Sequence, residues 1–101
     1  YALVLTTCPD KDMARSIARA LVELRLAACG QIFPIESIYS WQDKVHDSPE
    51  FMLMLKTKVN LFEQVKAEIA RKHNYEIPQI TIVPLVDGLS AYLSWIDEQT
   101  I

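Results

Sequence analysis

Three runs that read as β-strands are apolar on both of their faces, and this restricts the chain more than any other feature. Side chains alternate across a strand, so a sheet covered on one side only should alternate apolar and polar residues. In the run 50–57, Phe51, Leu53 and Leu55 point one way and Met52 and Met54 the other. Ile80 and Ile82 oppose Val83 and Leu85, and Leu3 and Leu5 oppose Ala2 and Val4. Both faces of such a sheet need cover. The chain has 101 residues, half of them hydrophobic, and a single domain of that size has a high surface-to-volume ratio. A large contact with further copies of itself is therefore expected.

The order of elements follows from local signals. Residues 2–8 are β-branched and apolar, and Pro9 ends them. Asp10 or Asp12 can cap a helix in which Met13, Ile17, Leu21 and Leu24 recur at helical spacing. From about Ala28 to Trp41 the chain reads as extended, and Pro34 implies a bulge, a bend or a sheet edge. Lys44 to Ser48 reads as a hairpin tip, followed by a strand over 50–57. Asn60 with Glu63 resembles a capping box, and Phe62, Val65 and Ile69 mark one face of a second helix. Residues 74–78 break it, 80–86 read as a fourth strand, and Ser90 caps a short last helix with Leu93, Trp95 and Ile96. The sum is one domain over residues 1–101, a βαββαβ arrangement of the ferredoxin-like, α+β kind. Right-handed crossovers place both main helices on one sheet face. The last helix, read as about two turns long, is too short to cover four strands.

Composition excludes several classes. The formal net charge is −3 and the basic residues are scattered, whereas a nucleic-acid binder normally carries a basic stripe. No apolar run approaches the roughly 20 residues that span a bilayer. The start at Tyr1 lacks the charged segment of a signal peptide, and the missing initiator Met points to a short leader ahead of it. Two cysteines without CxxC spacing suit a reduced, cytoplasmic protein better than a secreted one.

Across the whole chain the residues resemble one family. Leu26-Ala27-Ala28-Cys29, Pro34, and Ser37-Ile38-Tyr39-Ser40-Trp41-Gln42-Asp43-Lys44-Val45 carry the resemblance. So do Glu50, Lys56-Thr57, His73-Asn74-Tyr75-Glu76-Ile77-Pro78 and Tyr92-Leu93-Ser94-Trp95. The pattern is similar to the CutA divalent-cation-tolerance family. That resemblance implies a homotrimer built by packing sheet faces and pairing strand edges, cytoplasmic residence, and tolerance of copper and other divalent cations through metal binding. It also implies a structural likeness to PII-type proteins, which bind small ligands between subunits.

Candidate metal ligands are few: Cys8, Cys29, His46 and His73. Thiolate suits Cu(I) and imidazole suits copper or zinc, but a closed zinc site needs about four ligands with close pairs, which this chain lacks. Cys8 ends the first strand and His73 precedes the fourth, its expected antiparallel neighbour, so these two are the metal candidates. Packing or hydrogen bonding alone also accounts for them. Cys29 reads as a plain buried residue and His46 as solvated. Gln79 after Pro78, where many of the family have a carboxylate, removes one hard donor. A second constellation, Tyr39, Trp41, Glu50, Lys56, Tyr75, Tyr92 and Trp95, is expected to line an inter-subunit cleft. Glu50 and Lys56 share a strand face and suggest an ion pair across the interface. The resemblance therefore implies a metal-binding tolerance protein or, alternatively, a small-ligand or protein-binding sensor. A catalytic reading lacks support, because Gly30 and Gly88 sit in no anion-cradling loop.

Overall fold

The computed structural model describes residues 1–101. Its elements are β1 (Ala2–Cys8), α1 (Lys11–Glu23), β2 (Cys29–Trp41), β3 (Lys44–Thr57), α2 (Phe62–Lys72), β4 (Thr81–Pro84) and α3 (Ser90–Gln99). The four strands form one sheet in the order β2-β3-β1-β4, and every neighbouring pair is antiparallel. This is the expected α+β, βαββαβ layout with a terminal helix.

One sheet face packs on α1 and α2. Val4 and Cys8 from β1, Leu53 and Leu55 from β3, Ile17 and Leu21 from α1, and Val65 and Ile69 from α2 form a fully buried core. Asp10 caps α1, its carboxylate accepting from the Met13 amide at 2.8 Å. That helix ends in a Schellman turn: Leu26 N–H donates to Leu21 O and Arg25 N–H to Val22 O. The turn puts Arg25 at φ 59°, a conformation usually left to glycine.

Four local expectations are corrected. The hairpin tip is Gln42-Asp43, with φ of 52° and 61°, a two-residue type I′ turn. Lys44 to Ser48 therefore continue β3, opposite Ser37–Trp41 of β2. Asn60 makes no capping bond; a 3-10 turn, Val59–Leu61, leads directly into α2. Ser90 is likewise not a cap, and α3 runs ten residues, nearly three turns. The fourth strand is confined to Thr81–Pro84. Pro34 lies on the edge strand β2 in continuous register, opposite Phe51, so its missing N–H disrupts no inner ladder.

The opposite sheet face carries Leu3, Leu5, Phe33, Met52, Met54 and Val83 by register. In the protomer these are only partly covered, Phe33 and Val83 being 40% and 41% exposed. The last helix closes one end of this layer. Its Ile96 is fully buried, Tyr1 Oη donates to Asp97 at 2.5 Å, and the Arg25 guanidinium donates to the carbonyls of Glu98 and Gln99 at 2.7 and 3.3 Å. The rest of the face remains open. So does one edge of β3 over Lys44–Glu50, because pairing with β1 begins only at Phe51.

Candidate functional site

Beyond the end of β1 the β2–β3 hairpin rises over the loop that joins α2 to β4, and a hollow of about 820 Å³ lies between them. Strand alternation brings Ser37, Tyr39 and Trp41 of β2 and Glu50 of β3 to its wall, and Thr7 closes it from β1. The loop adds Asn74, Tyr75, Glu76, Ile77 and Gln79, and Glu36 stands at the exposed rim. The lining holds three carboxylates and three aromatic rings, and none of its residues is Lys, Arg or His.

A hydrogen-bonded chain ties the hollow to the end of β1. His73 caps the C-terminus of α2, its N–H donating to Ile69 O at 2.9 Å. Its Nε2 lies 2.7 Å from Thr7 O, and its Nδ1 lies 3.1 Å from the Tyr75 amide nitrogen. A carbonyl only accepts and an amide N–H only donates, so the ring is held as the Nε2–H tautomer. Tyr75 packs on this ring, centroids 4.7 Å apart, and its hydroxyl donates to Glu50 Oε2 at 2.6 Å. Burial, and then the bond to Glu50, push the Tyr75 phenol above its ordinary range.

His73 thus reaches the strand end that carries Cys8. The cysteine itself is fully buried in the helix-side core. Its thiol is pushed up to about 11, first by burial and then by the charges of Asp10 and Glu50. The thiol is accordingly protonated at neutral pH, and both His73 nitrogens are engaged. No group of three His, Cys, Asp or Glu side chains converges to hold a metal ion anywhere in the chain.

Within the protomer the second constellation divides. Tyr39, Trp41, Glu50 and Tyr75 line the hollow, while Lys56, Tyr92 and Trp95 sit at the other end of the sheet. There Lys56 Nζ donates to Gln31 Oε1, Tyr92 Oη lies 3.5 Å from Cys29 Sγ, and Tyr92 packs on Trp95 with centroids 5.5 Å apart. Glu50 and Lys56 are separated along β3 by about 20 Å, so within a protomer they do not pair. Two lesser readings change. Cys29 is partly exposed on the open face, because odd positions of β2 point away from the helices. His46 is not solvated: it stacks on Tyr39 at 5.3 Å, and its Nε2 donates to Trp41 O at 3.2 Å. Of the rim residues, Glu76 belongs to the His73–Pro78 motif without being named a site candidate, and Glu36 has no signal in the sequence beyond its charge.

The sequence model of the CutA1 divalent ion tolerance protein family matches residues 2–99. The divalent-cation tolerance protein CutA of Thermus thermophilus is 42% identical over 99 residues, covering 97% of this chain and 96% of the relative. The crystal structure of CutA1 from Pyrococcus horikoshii superposes with a TM-score of 0.96 at 31% identity, covering 100% of this chain and 99% of that one. A third match is described as the periplasmic divalent cation tolerance protein CutA of Archaeoglobus fulgidus. It has a TM-score of 0.95 and 38% identity, covering 97% and 96% of the two chains. That finding overturns the expectation of cytoplasmic residence: so similar a protein is periplasmic, and two unpaired cysteines do not settle the compartment. No helix is long and apolar enough to cross a membrane.

Proposed function

The chain belongs to the CutA1 divalent ion tolerance family, and from that membership we propose a homotrimeric tolerance protein that takes up copper or another divalent cation beside the end of β1. The observation that carries this is the linked set His73, Tyr75 and Glu50, which puts an imidazole and a carboxylate in one neighbourhood. Imidazole suits copper, and carboxylate suits harder divalent ions. The resting arrangement is a closed hydrogen-bond chain, so a metal must displace one partner of His73. Cys8 adds a soft donor only by losing a proton that burial holds in place. Binding therefore releases protons and weakens as pH falls.

Assembly supplies what the protomer lacks. The open face is apolar over three strands, a patch of the kind that marks an interaction site, and burying it between copies brings further side chains to the hollow. Calorimetric titration of copper, in both oxidation states, into the reduced assembly tests the reading. His73→Ala, Glu50→Gln and Cys8→Ser are run beside it. Stoichiometric binding lost in His73→Ala and weakened in Glu50→Gln supports it; binding indifferent to all three variants removes it.

A second reading rests on the hollow itself, whose volume suits a small molecule. On that reading the assembly senses a ligand held between the hairpin and the 74–79 loop.

A further inference from the structure

Glu50 is 7% exposed and is the only charged residue in the buried set. It has no salt-bridge partner, and its single side-chain hydrogen bond comes from the neutral Tyr75 hydroxyl. A carboxylate that deep is costly without a counter-charge. Glu50 lines the hollow, where Glu36 and Glu76 add further negative charge and the protomer's own lining holds no Lys, Arg or His.

The rings of Tyr39, Trp41 and Tyr75 define what fits. Aromatic faces are electronegative and attract cations, best when the cation carries apolar substituents that also pack. A bare metal ion held at Glu50 leaves those rings unused. A phosphate-bearing ligand would meet three carboxylates and no basic group. We infer that the hollow binds a small organic ammonium ion, its charge facing Glu50 and its alkyl groups lying against Tyr39, Trp41 and Tyr75. The inference rests on the second reading above, that the hollow is a ligand site.

Trp41 lines the hollow and Trp95 does not. With two tryptophans in the chain, Trp95→Phe makes Trp41 the sole reporter in the full assembly. Three probes are titrated: choline, its neutral isostere 3,3-dimethylbutanol, and ATP. Choline should change Trp41 emission saturably, with the isostere at least about tenfold weaker and ATP silent. In Glu50→Gln, choline binding should weaken about tenfold, roughly 1.4 kcal/mol, with the isostere unaffected. Glu76→Gln, at an exposed position, should show a smaller loss in the same direction. Equal binding of choline and the isostere overturns the inference. So does binding of the isostere or ATP with choline silent, which leaves a ligand site of another class. Silence from all three probes overturns the inference and the ligand reading together.

Discussion

The Tyr75 hydroxyl donates to Glu50 Oε2 at 2.6 Å, tying the loop before β4 to the middle of β3 at the wall of the hollow. Replacing Tyr75 by Phe removes the only side-chain donor to a deeply buried carboxylate, and should destabilise the fold by about 1–2 kcal/mol. Glu50→Gln should cost less, because an amide oxygen still accepts the phenol. Denaturant melts of the two variants and their combination measure the coupling. A Tyr75→Phe loss no larger than that of Glu50→Gln contradicts the pairing. Burial and the bond to Glu50 raise the phenol above its ordinary value, so its contribution is complete below about pH 10 and fades only at higher pH.

Cys8 should behave as a core residue. Its thiol is raised from 9.0 to about 11, so the protonated form is favoured in the fold. That contribution is intact below about pH 9 and is lost as pH climbs through 11. At pH 8 a thiol-specific reagent should leave Cys8 unmodified until denaturant is added. Rapid native-state labelling, located by peptide mapping, would place the thiol in an accessible site.

Arg25 serves two helices at once. Its backbone takes the left-handed position that closes α1, and its guanidinium meets the last carbonyls of α3. Arg25→Ala keeps the backbone strain and loses the bonds, so it should lower stability by about 1 kcal/mol. Arg25→Gly loses the same bonds but relieves roughly 1 kcal/mol of strain, and should lie close to the parent protein. Thermal melts that rank Gly below Ala would refute this division of roles.

The hairpin turn leaves stability unused. Gln42 and Asp43 both adopt positive φ, which Asn-Gly accommodates more readily. The double substitution Gln42→Asn with Asp43→Gly should raise stability by about 1 kcal/mol. A lower melting temperature would mean that these side chains have contacts elsewhere in the assembly.

Most of the fold was legible because its signals are local. Met13, Ile17 and Leu21 announce α1 by spacing, Asp10 by its cap, and the two-sided strands announce the open face. The hairpin tip was misplaced because Gln-Asp lacks the usual turn residues, and polar Lys44 to Ser48 looked like loop although strand pairing extends beyond the sheet core. Asn60 resembled a cap, but a 3-10 turn lets the chain enter α2 without one. At the site, proximity of His73 to the end of β1 followed from antiparallel topology. The engagement of both ring nitrogens depends on the backbone of the 73–75 turn, which no spacing reveals. Glu50 and Lys56 share a strand face but stand about 20 Å apart along it, so a pair between them joins two subunits rather than two ends of one strand.

Sedimentation equilibrium of the purified chain tests the central claim, that copies of this chain cover the open sheet face. The account predicts a species of three times the 11.6 kDa protomer and dissociation on Met54→Lys, which places a charge in the middle of that face. A monomer at micromolar concentration, or an assembly that Met54→Lys leaves intact, would contradict it.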